Sequence, residues 1–187
     1  AEVDVTPWEQ GAMDRTLAEL RPSMVFALLG TLRARAKKLA RDGGDPGDAS
    51  YDAVDYGLTS ILIGAAQRSG SSPRFVYLSA AGVKPGSRAP YYAARAKAED
   101  ELRRSGLPYI IARPSFITGP GREEDRPLER MGAAAADAAL GVAAALGASK
   151  LRERYASTSD VILAEALVRL ALDAESEAVV AESEDLR

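Results

Sequence analysis

Two apolar runs separated by a helix-like segment form the clearest pattern in the chain. Residues 75–78 and 109–112 are apolar and short enough for strands, and a loop rich in glycine and proline follows the first run. Pro90 suits the first position of a helix between them, and Gly106 suits the residue after its end. This pattern predicts two parallel strands joined by a right-handed crossover. Ligands of such sheets bind beyond the carboxyl ends of the strands, here residues 79–81 and 113–115.

The flanking chain continues the alternation of strands and helices. A continuous apolar run at residues 24–29 predicts a strand that is buried on both faces. Helical spacing and capping residues predict helices over about residues 7–20, 50–69, 132–148 and 159–173. A final strand is predicted at residues 178–181. The alternation predicts one α/β domain over residues 1–187, built as a Rossmann-like parallel sheet with flanking helices.

The composition excludes several kinds of chemistry. The chain has 187 residues, a net charge of −3, and neither cysteine nor histidine. Disulfides, thiolate catalysis and histidine-based triads are therefore excluded, and acid–base work falls to Tyr, Lys, Asp, Glu or Ser. The weak negative charge argues against nucleic acid as a partner. Because no signal peptide or membrane-spanning run is visible, we expect a cytoplasmic protein with no membrane partner.

Four segments, taken together, resemble a known family. They are FALLGT at residues 26–31, VDYGLTSILIGAA at 54–66, FVYLSAAGV at 75–83 with Lys97 on the following helix, and ARPSFITGPGREEDRPLER at 112–130. Their order and spacing resemble atypical short-chain dehydrogenases/reductases, in particular Tat-interacting-protein-like oxidoreductases and NAD-dependent epimerase-like proteins. The resemblance implies an NAD(P)-binding Rossmann domain that uses NADP or NAD for hydride transfer with a small carbonyl or alcohol substrate. A catalytically inactive NAD(P)H-binding regulatory or scaffold protein is the alternative.

The resemblance also implies roles for individual residues. Catalysis would fall to Lys97, with Ser79 and Tyr92 beside it. A larger set of residues would contact the cofactor. The resemblance implies that Asp4 and Val5 lie near the adenine, and that Leu29, Gly30 and Thr31 line the ribose and pyrophosphate. It also implies that Asp55 takes the proton-relay position and that the nicotinamide is surrounded by Ser79, Lys97, Pro114 and Ser115.

The family pattern is incomplete at the amino terminus. The family begins with a strand and a GxxGxxG turn whose backbone approaches the pyrophosphate, and the sequence contains no GxxGxxG. We therefore expect an amino-terminal truncation that lacks the first βαβ portion. Losing those strands would leave the strand at residues 24–29 at an apolar sheet edge, which predicts self-association there.

The tyrosine and lysine of the family pair are out of register. The family places a Tyr four residues before the Lys, where the ammonium lowers the phenol pKa. Here Tyr92 lies five residues before Lys97, and Tyr91 lies six before it. In a regular helix these residues point about 140° and 120° away from Lys97. A non-helical start of the helix would restore the pairing.

Each of these features also has a plainer interpretation. Lys97 is compatible with a solvated helix lysine, Ser79 with a strand terminator, and both tyrosines with packing residues. Glu99 with Arg103 has the spacing of an ion pair on the exposed side of the helix. The basic residues 33–41 suit a 2′-phosphate, an acidic partner or an exposed helix. The carboxylates at 123–125 are typical of a solvated loop, so no metal is expected.

Overall fold

A computed structural model of the protein describes residues 5–31, 41–43, 47, 50–118 and 158–187. Within this part of the chain, four parallel strands form the main sheet. They are β1 (Met24–Ala27), β2 (Arg74–Leu78), β3 (Tyr109–Arg113) and β6 (Ala178–Glu182), in the order β1-β2-β3-β6. Two shorter strands pair in parallel beside it, β4 (Ile117–Thr118) with β5 (Thr158–Ser159).

Four described helices flank the main sheet. They are α1 (Gln10–Leu20), α2 (residues 52–68), α3 (Pro90–Arg104) and α4 (Asp160–Leu172). The amino-terminal part of α2 is π-helical (Asp52–Leu58) and continues as a regular α-helix (Thr59–Arg68). The α/β class, the parallel sheet and the flanking helices that the sequence predicted are confirmed. The alanine-rich residues 132–148, the basic residues 33–40 and the acidic residues 123–125 lie outside the described part.

The first helix and the first strand have boundaries that differ from the predicted ones. The first helix begins at Gln10 instead of residue 7, with Glu9 in the capping position, and the Thr6 hydroxyl pairs with the Thr16 hydroxyl (2.9 Å). The first strand ends at Ala27, two residues early. At the opposite end, Ser159 caps α4 as predicted by accepting a hydrogen bond from the Ile162 amide.

The sheet separates two apolar cores because side chains alternate between its faces. Phe75 and Tyr77 of β2 point to the side covered by α1, α2 and α3, whereas Val76 points to the side covered by α4. All three are fully buried. β1 occupies one edge of the described sheet, and Val5, at 89% exposure, lies outside it. The carboxyl ends of the four strands therefore share one edge, framed by the amino-terminal parts of α2 and α3.

Candidate functional site

The loops that follow β2 and β3 lie side by side at the carboxyl edge of the sheet. The Ser79 amide donates a hydrogen bond to the Ala112 carbonyl (2.8 Å), and the Ala81 amide donates to the Pro114 carbonyl (2.9 Å). These bonds continue the β2–β3 ladder beyond the strands. Ser79 and Pro114 are buried, and Ser115 is half-buried. The structure thus brings together two of the segments that the sequence placed at the nicotinamide.

A buried ion pair connects the loop after β1 to α3. An Arg95 guanidinium nitrogen, Nη2, lies 2.8 Å from Oδ1 of Asp55, and the two side chains are 8% and 0% exposed. The Thr31 amide donates to the other Asp55 oxygen at 3.1 Å. Burial raises the pKa of Asp55, although the charge of Arg95 opposes that shift. Asp55 belongs to the π-helical part of α2, a helix variant that is frequent at functional sites.

Arg95 also contacts the end of β2 and an aromatic ring. Its Nη1 donates to the Leu78 carbonyl (2.5 Å), and its guanidinium carbon lies 4.8 Å from the centre of the Tyr91 ring. The buried Nε of Arg95 has no hydrogen-bond partner. Arginine stays protonated at all physiological pH values, so this site contains a fixed positive charge. Burial raises the pKa of the Tyr91 phenol, while the Arg95 charge acts in the opposite direction.

Three tyrosine rings meet beside this ion pair. The Tyr91 ring makes edge-to-face contacts with Tyr51 (5.3 Å between centroids) and Tyr92 (5.1 Å). Tyr92 is 36% exposed and lies at the rim, whereas Tyr91 faces Arg95. Below them, the buried Tyr77 hydroxyl has no hydrogen-bond partner, and burial raises the pKa of its phenol.

Lys97 points away from the tyrosine rings and towards α2. Its Nζ lies 2.6 Å from an Asp52 carboxylate oxygen and 5.3 Å from the centre of the Tyr56 ring. The side chain is 54% exposed, and the bond to Asp52 raises the pKa of the ammonium group. The structure therefore does not place Lys97 next to Asp55, Ser79 or Tyr92.

Ser79 belongs to a second buried polar cluster, centred on Glu99. The Ser79 hydroxyl donates to Oε1 of Glu99 at 2.6 Å. Arg113 donates to both oxygens of the same carboxylate, at 2.9 and 2.5 Å, and Arg103 adds a bond of 2.9 Å. Burial favours the neutral form of Glu99, but the hydrogen bonds from Arg113 and Ser79 outweigh it and hold its pKa below the usual value.

The prediction of an exposed Glu99–Arg103 pair was wrong for Glu99. The i,i+4 bond exists, but Glu99 is only 1% exposed. Its carboxylate turns towards the sheet because Ser79 and Arg113 supply donors there. The next pair along the helix, Asp100 with Arg104, is exposed.

The other predicted cofactor residues lie at different depths. Leu29 is half-buried and Gly30 is exposed, directly before Thr31. A Cβ at Gly30 would lie 3.3 Å from an Arg95 nitrogen, so this turn approaches the ion pair closely. Val5 is 89% exposed and belongs to no strand of the described sheet, and Asp4 lies outside the described residues.

Sequence reasoning missed Arg95 as a candidate site residue, and it chose Tyr92 over Tyr91 as the catalytic tyrosine. A signal was present, because Tyr91, Arg95 and Glu99 recur at intervals of four along α3. Residues at this spacing share one helix face. Counting back from Arg95 instead of Lys97 recovers a tyrosine four residues before a cation.

The described residues suit the nicotinamide side of a dinucleotide. Clustered tyrosine rings offer planar surfaces beside an exposed glycine turn, and two buried polar atoms, Arg95 Nε and the Tyr77 hydroxyl, lack partners. The pyrophosphate is ordinarily held by a GxxGxxG turn, and the sequence does not contain this motif. Within the described residues no group of side chains could hold a metal ion, and no helix is long and apolar enough to cross a membrane.

A parallel sheet with flanking helices and polar side chains gathered at its carboxyl edge defines a Rossmann-like nucleotide-binding domain. A sequence model described as NAD(P)H-binding matches residues 24–146. The chain belongs to this NAD(P)H-binding family, whose ligands are small molecules.

Comparison with individual proteins agrees with this assignment. The chain is 34% identical over 154 residues to Protein fmp52-1, mitochondrial, of Aspergillus terreus, covering 82% of this chain and 59% of that protein. RMD from Pseudomonas aeruginosa, solved with NADPH, superposes with a TM-score of 0.60 at 21% identity over 97% of this chain and 65% of its own. The Bordetella bronchiseptica enzyme WbmG, solved with NAD, gives 0.57 at 14% identity over 96% and 56%. The structural likenesses show the fold, and the chain spans about three fifths of these relatives' length.

Proposed function

We propose that the protein is an NAD(P)H-dependent oxidoreductase of the atypical short-chain type, acting on a small carbonyl or alcohol. The observation that carries the proposal is the position of Tyr91. Its phenol lies over the guanidinium of Arg95, one helical turn away, at the carboxyl edge of the sheet, where parallel α/β sheets bind their ligands. Bound NADPH or NADH would supply the hydride in reduction, and the oxidised cofactor would accept it in the reverse direction. Tyr91 is then the proton donor to the substrate oxygen in reduction.

Arg95 assists this proton transfer through its charge. A cation near a phenol favours the phenolate, and so lowers the cost of releasing the proton. Asp55 holds the guanidinium in place, but its negative charge also partly neutralises the positive charge of Arg95. The Ser79 hydroxyl hydrogen is committed to Glu99, which leaves Tyr91 as the better donor.

The geometry favours Tyr91 with Arg95 over the pair that the sequence suggested, Tyr92 with Lys97. Tyr92 lies at the rim, and Lys97 is held by Asp52. Reduced-nicotinamide absorbance, followed with a panel of small aldehydes and ketones, separates the two assignments. Tyr91→Phe should lower kcat by about 100-fold or more, as expected for loss of a general acid. Tyr92→Phe should lower it far less.

Matched variants complete that experiment. Arg95→Lys keeps a positive charge but loses the fork that binds Asp55 and the Leu78 carbonyl, so it should retain more activity than Arg95→Met. Arg104→Ala removes an exposed ion pair and serves as the control. If Tyr92→Phe and Lys97→Met abolish turnover while Tyr91→Phe does not, the assignment to Tyr91 is overturned.

A regulatory NAD(P)H-binding protein remains the second candidate function. It is favoured by the Asp55–Arg95 pair, because a neutralised guanidinium activates a phenol less than a free ammonium does. Tight binding of NADPH or NADH in calorimetry, without turnover of any carbonyl compound, would support this candidate.

The proposal extends to partners and location. β1 lies at the edge of the described sheet with Phe26 exposed, which supports self-association through that edge. Sedimentation of the wild type and of Phe26→Lys tests this proposal. We also propose a cytoplasmic location and no nucleic-acid partner. The Aspergillus relative, by contrast, is named as a mitochondrial protein.

A further inference from the structure

The Glu99 carboxylate uses its full hydrogen-bonding capacity inside the protein. It accepts one bond from Ser79, two from Arg113 and one from Arg103. A carboxylate offers about four acceptor positions, so none is left for a ligand. Glu99 is therefore suited to hold other groups in place and unsuited to act as a catalytic base.

These bonds join the ends of three strands to one helix. Ser79 follows β2, Arg113 ends β3, and Arg113 also bonds to Glu182 at the end of β6 (2.9 Å). Glu99 lies on α3, one turn after Arg95, which anchors the loop after β1 through Asp55. The same face of α3 therefore sets the positions of all four strand ends.

We propose that Glu99 is a positioning residue that fixes the two loops, residues 79–81 and 114–115, against the nicotinamide end of the cofactor. This inference rests on the proposed function, since it assumes that the cofactor binds at this edge. Arg113 carries the effect from β2 to β3, and the Ala81–Pro114 bond fixes the spacing of the loops. Loss of the Glu99 charge leaves Arg113 without its main partner, so both loops can shift.

The test compares two cofactors that differ only at the nicotinamide ring. NADPH carries a carboxamide there, and its acetylpyridine analogue carries an acetyl group. In calorimetry, Glu99→Gln should change the ratio of the two dissociation constants by about fivefold, the equivalent of one hydrogen bond. Asp100→Asn, an exposed neighbour on the same helix, should leave the ratio unchanged.

A purely structural role for Glu99 predicts a different result. It would lower the melting temperature of Glu99→Gln and leave the ratio of dissociation constants equal to that of the wild type, which overturns the inference. If Glu99→Gln does not fold, Ser79→Ala is the test, and it should shift the ratio in the same direction by about threefold. Wild-type protein that binds neither cofactor would overturn the proposed function, and the inference with it.

A measurement without cofactor checks the hydrogen bond itself. In a double-mutant cycle of urea unfolding, Ser79→Ala should destabilise the wild type and have little further effect in Glu99→Met, which offers the Ser79 hydroxyl no oxygen acceptor. Equal effects in both backgrounds would show that Ser79 and Glu99 are not coupled, and would overturn the inference.

Discussion

Replacing Arg95 by Met tests the buried ion pair most sharply. The substitution keeps an apolar stem of similar length and removes the guanidinium, so Asp55 is left at 0% side-chain exposure with the Thr31 amide as a donor but without the Arg95 charge. At about 4 Å and an effective dielectric constant of about 20, two unit charges attract by about 4 kcal/mol. Breaking one partner of a buried pair typically costs about 3–5 kcal/mol. We expect Arg95→Met to lose about 4 kcal/mol of unfolding free energy at pH 7.

The pH dependence of this loss has a definite sign. Burial already raises the pKa of Asp55 above 3.8, and removal of Arg95 raises it further. The folded variant therefore binds more protons than the unfolded chain, and its stability falls as the pH rises from about 4 through the raised pKa. The deficit should be smaller at pH 5 than at pH 7.

A second substitution in the same chain supplies the control. Asp55→Asn removes the unpaired charge, so Arg95→Met with Asp55→Asn should recover about half of the lost stability at pH 7 and lose the pH dependence. Urea unfolding followed by circular dichroism measures both variants. A loss below about 1 kcal/mol, or a loss equal at pH 5 and pH 7, would contradict the buried pair as described.

Three smaller predictions concern other parts of the structure, each measured by urea unfolding. Gly30→Ala places a Cβ 3.3 Å from Arg95 and should cost about 1 kcal/mol; an unchanged stability would mean that the turn is looser than described. Ser159→Ala removes the cap of α4 and should also cost about 1 kcal/mol; a neutral result would show that the cap bond contributes nothing. Glu9→Ser adds a capping side chain to α1, which lacks one, and should gain about 0.5–1 kcal/mol; a loss would show that Glu9 has another role.

Local pattern was sufficient to predict the elements but only part of the site. Apolar runs and caps predicted the four main strands to within about two residues, because these signals act over short stretches. The π-helical start of α2 was not predicted, since apolar residues recur there at ordinary helical spacing. The local sequence pattern also could not predict which residues pair with the buried charges. Arg95 pairs with Asp55, 40 positions away, and Arg113 pairs with Glu99, 14 positions away.

The orientation of α3 could have been predicted from its small and apolar residues. Ala94, Ala98 and Leu102 are buried and define the face that packs on the sheet. On a helical projection Tyr91 lies within about 20° of the centre of that face, whereas Lys97 lies about 100° away. Choosing Lys97 by its resemblance to the family pattern ignored this geometry. Glu99 is as far from the centre as Lys97, and it is buried because Ser79 and Arg113 bind it, which no local spacing reveals.

The central claim is that the nicotinamide end of the cofactor lies against Tyr91 at the carboxyl edge of the sheet. Nuclear Overhauser effects between the nicotinamide protons of bound NADPH and isotope-labelled tyrosine rings test it directly, with Tyr91→Phe and Tyr92→Phe to assign the signals. The account predicts a cross-peak that disappears in Tyr91→Phe. Bound NADPH whose nicotinamide protons show no contact with Tyr91 would contradict it.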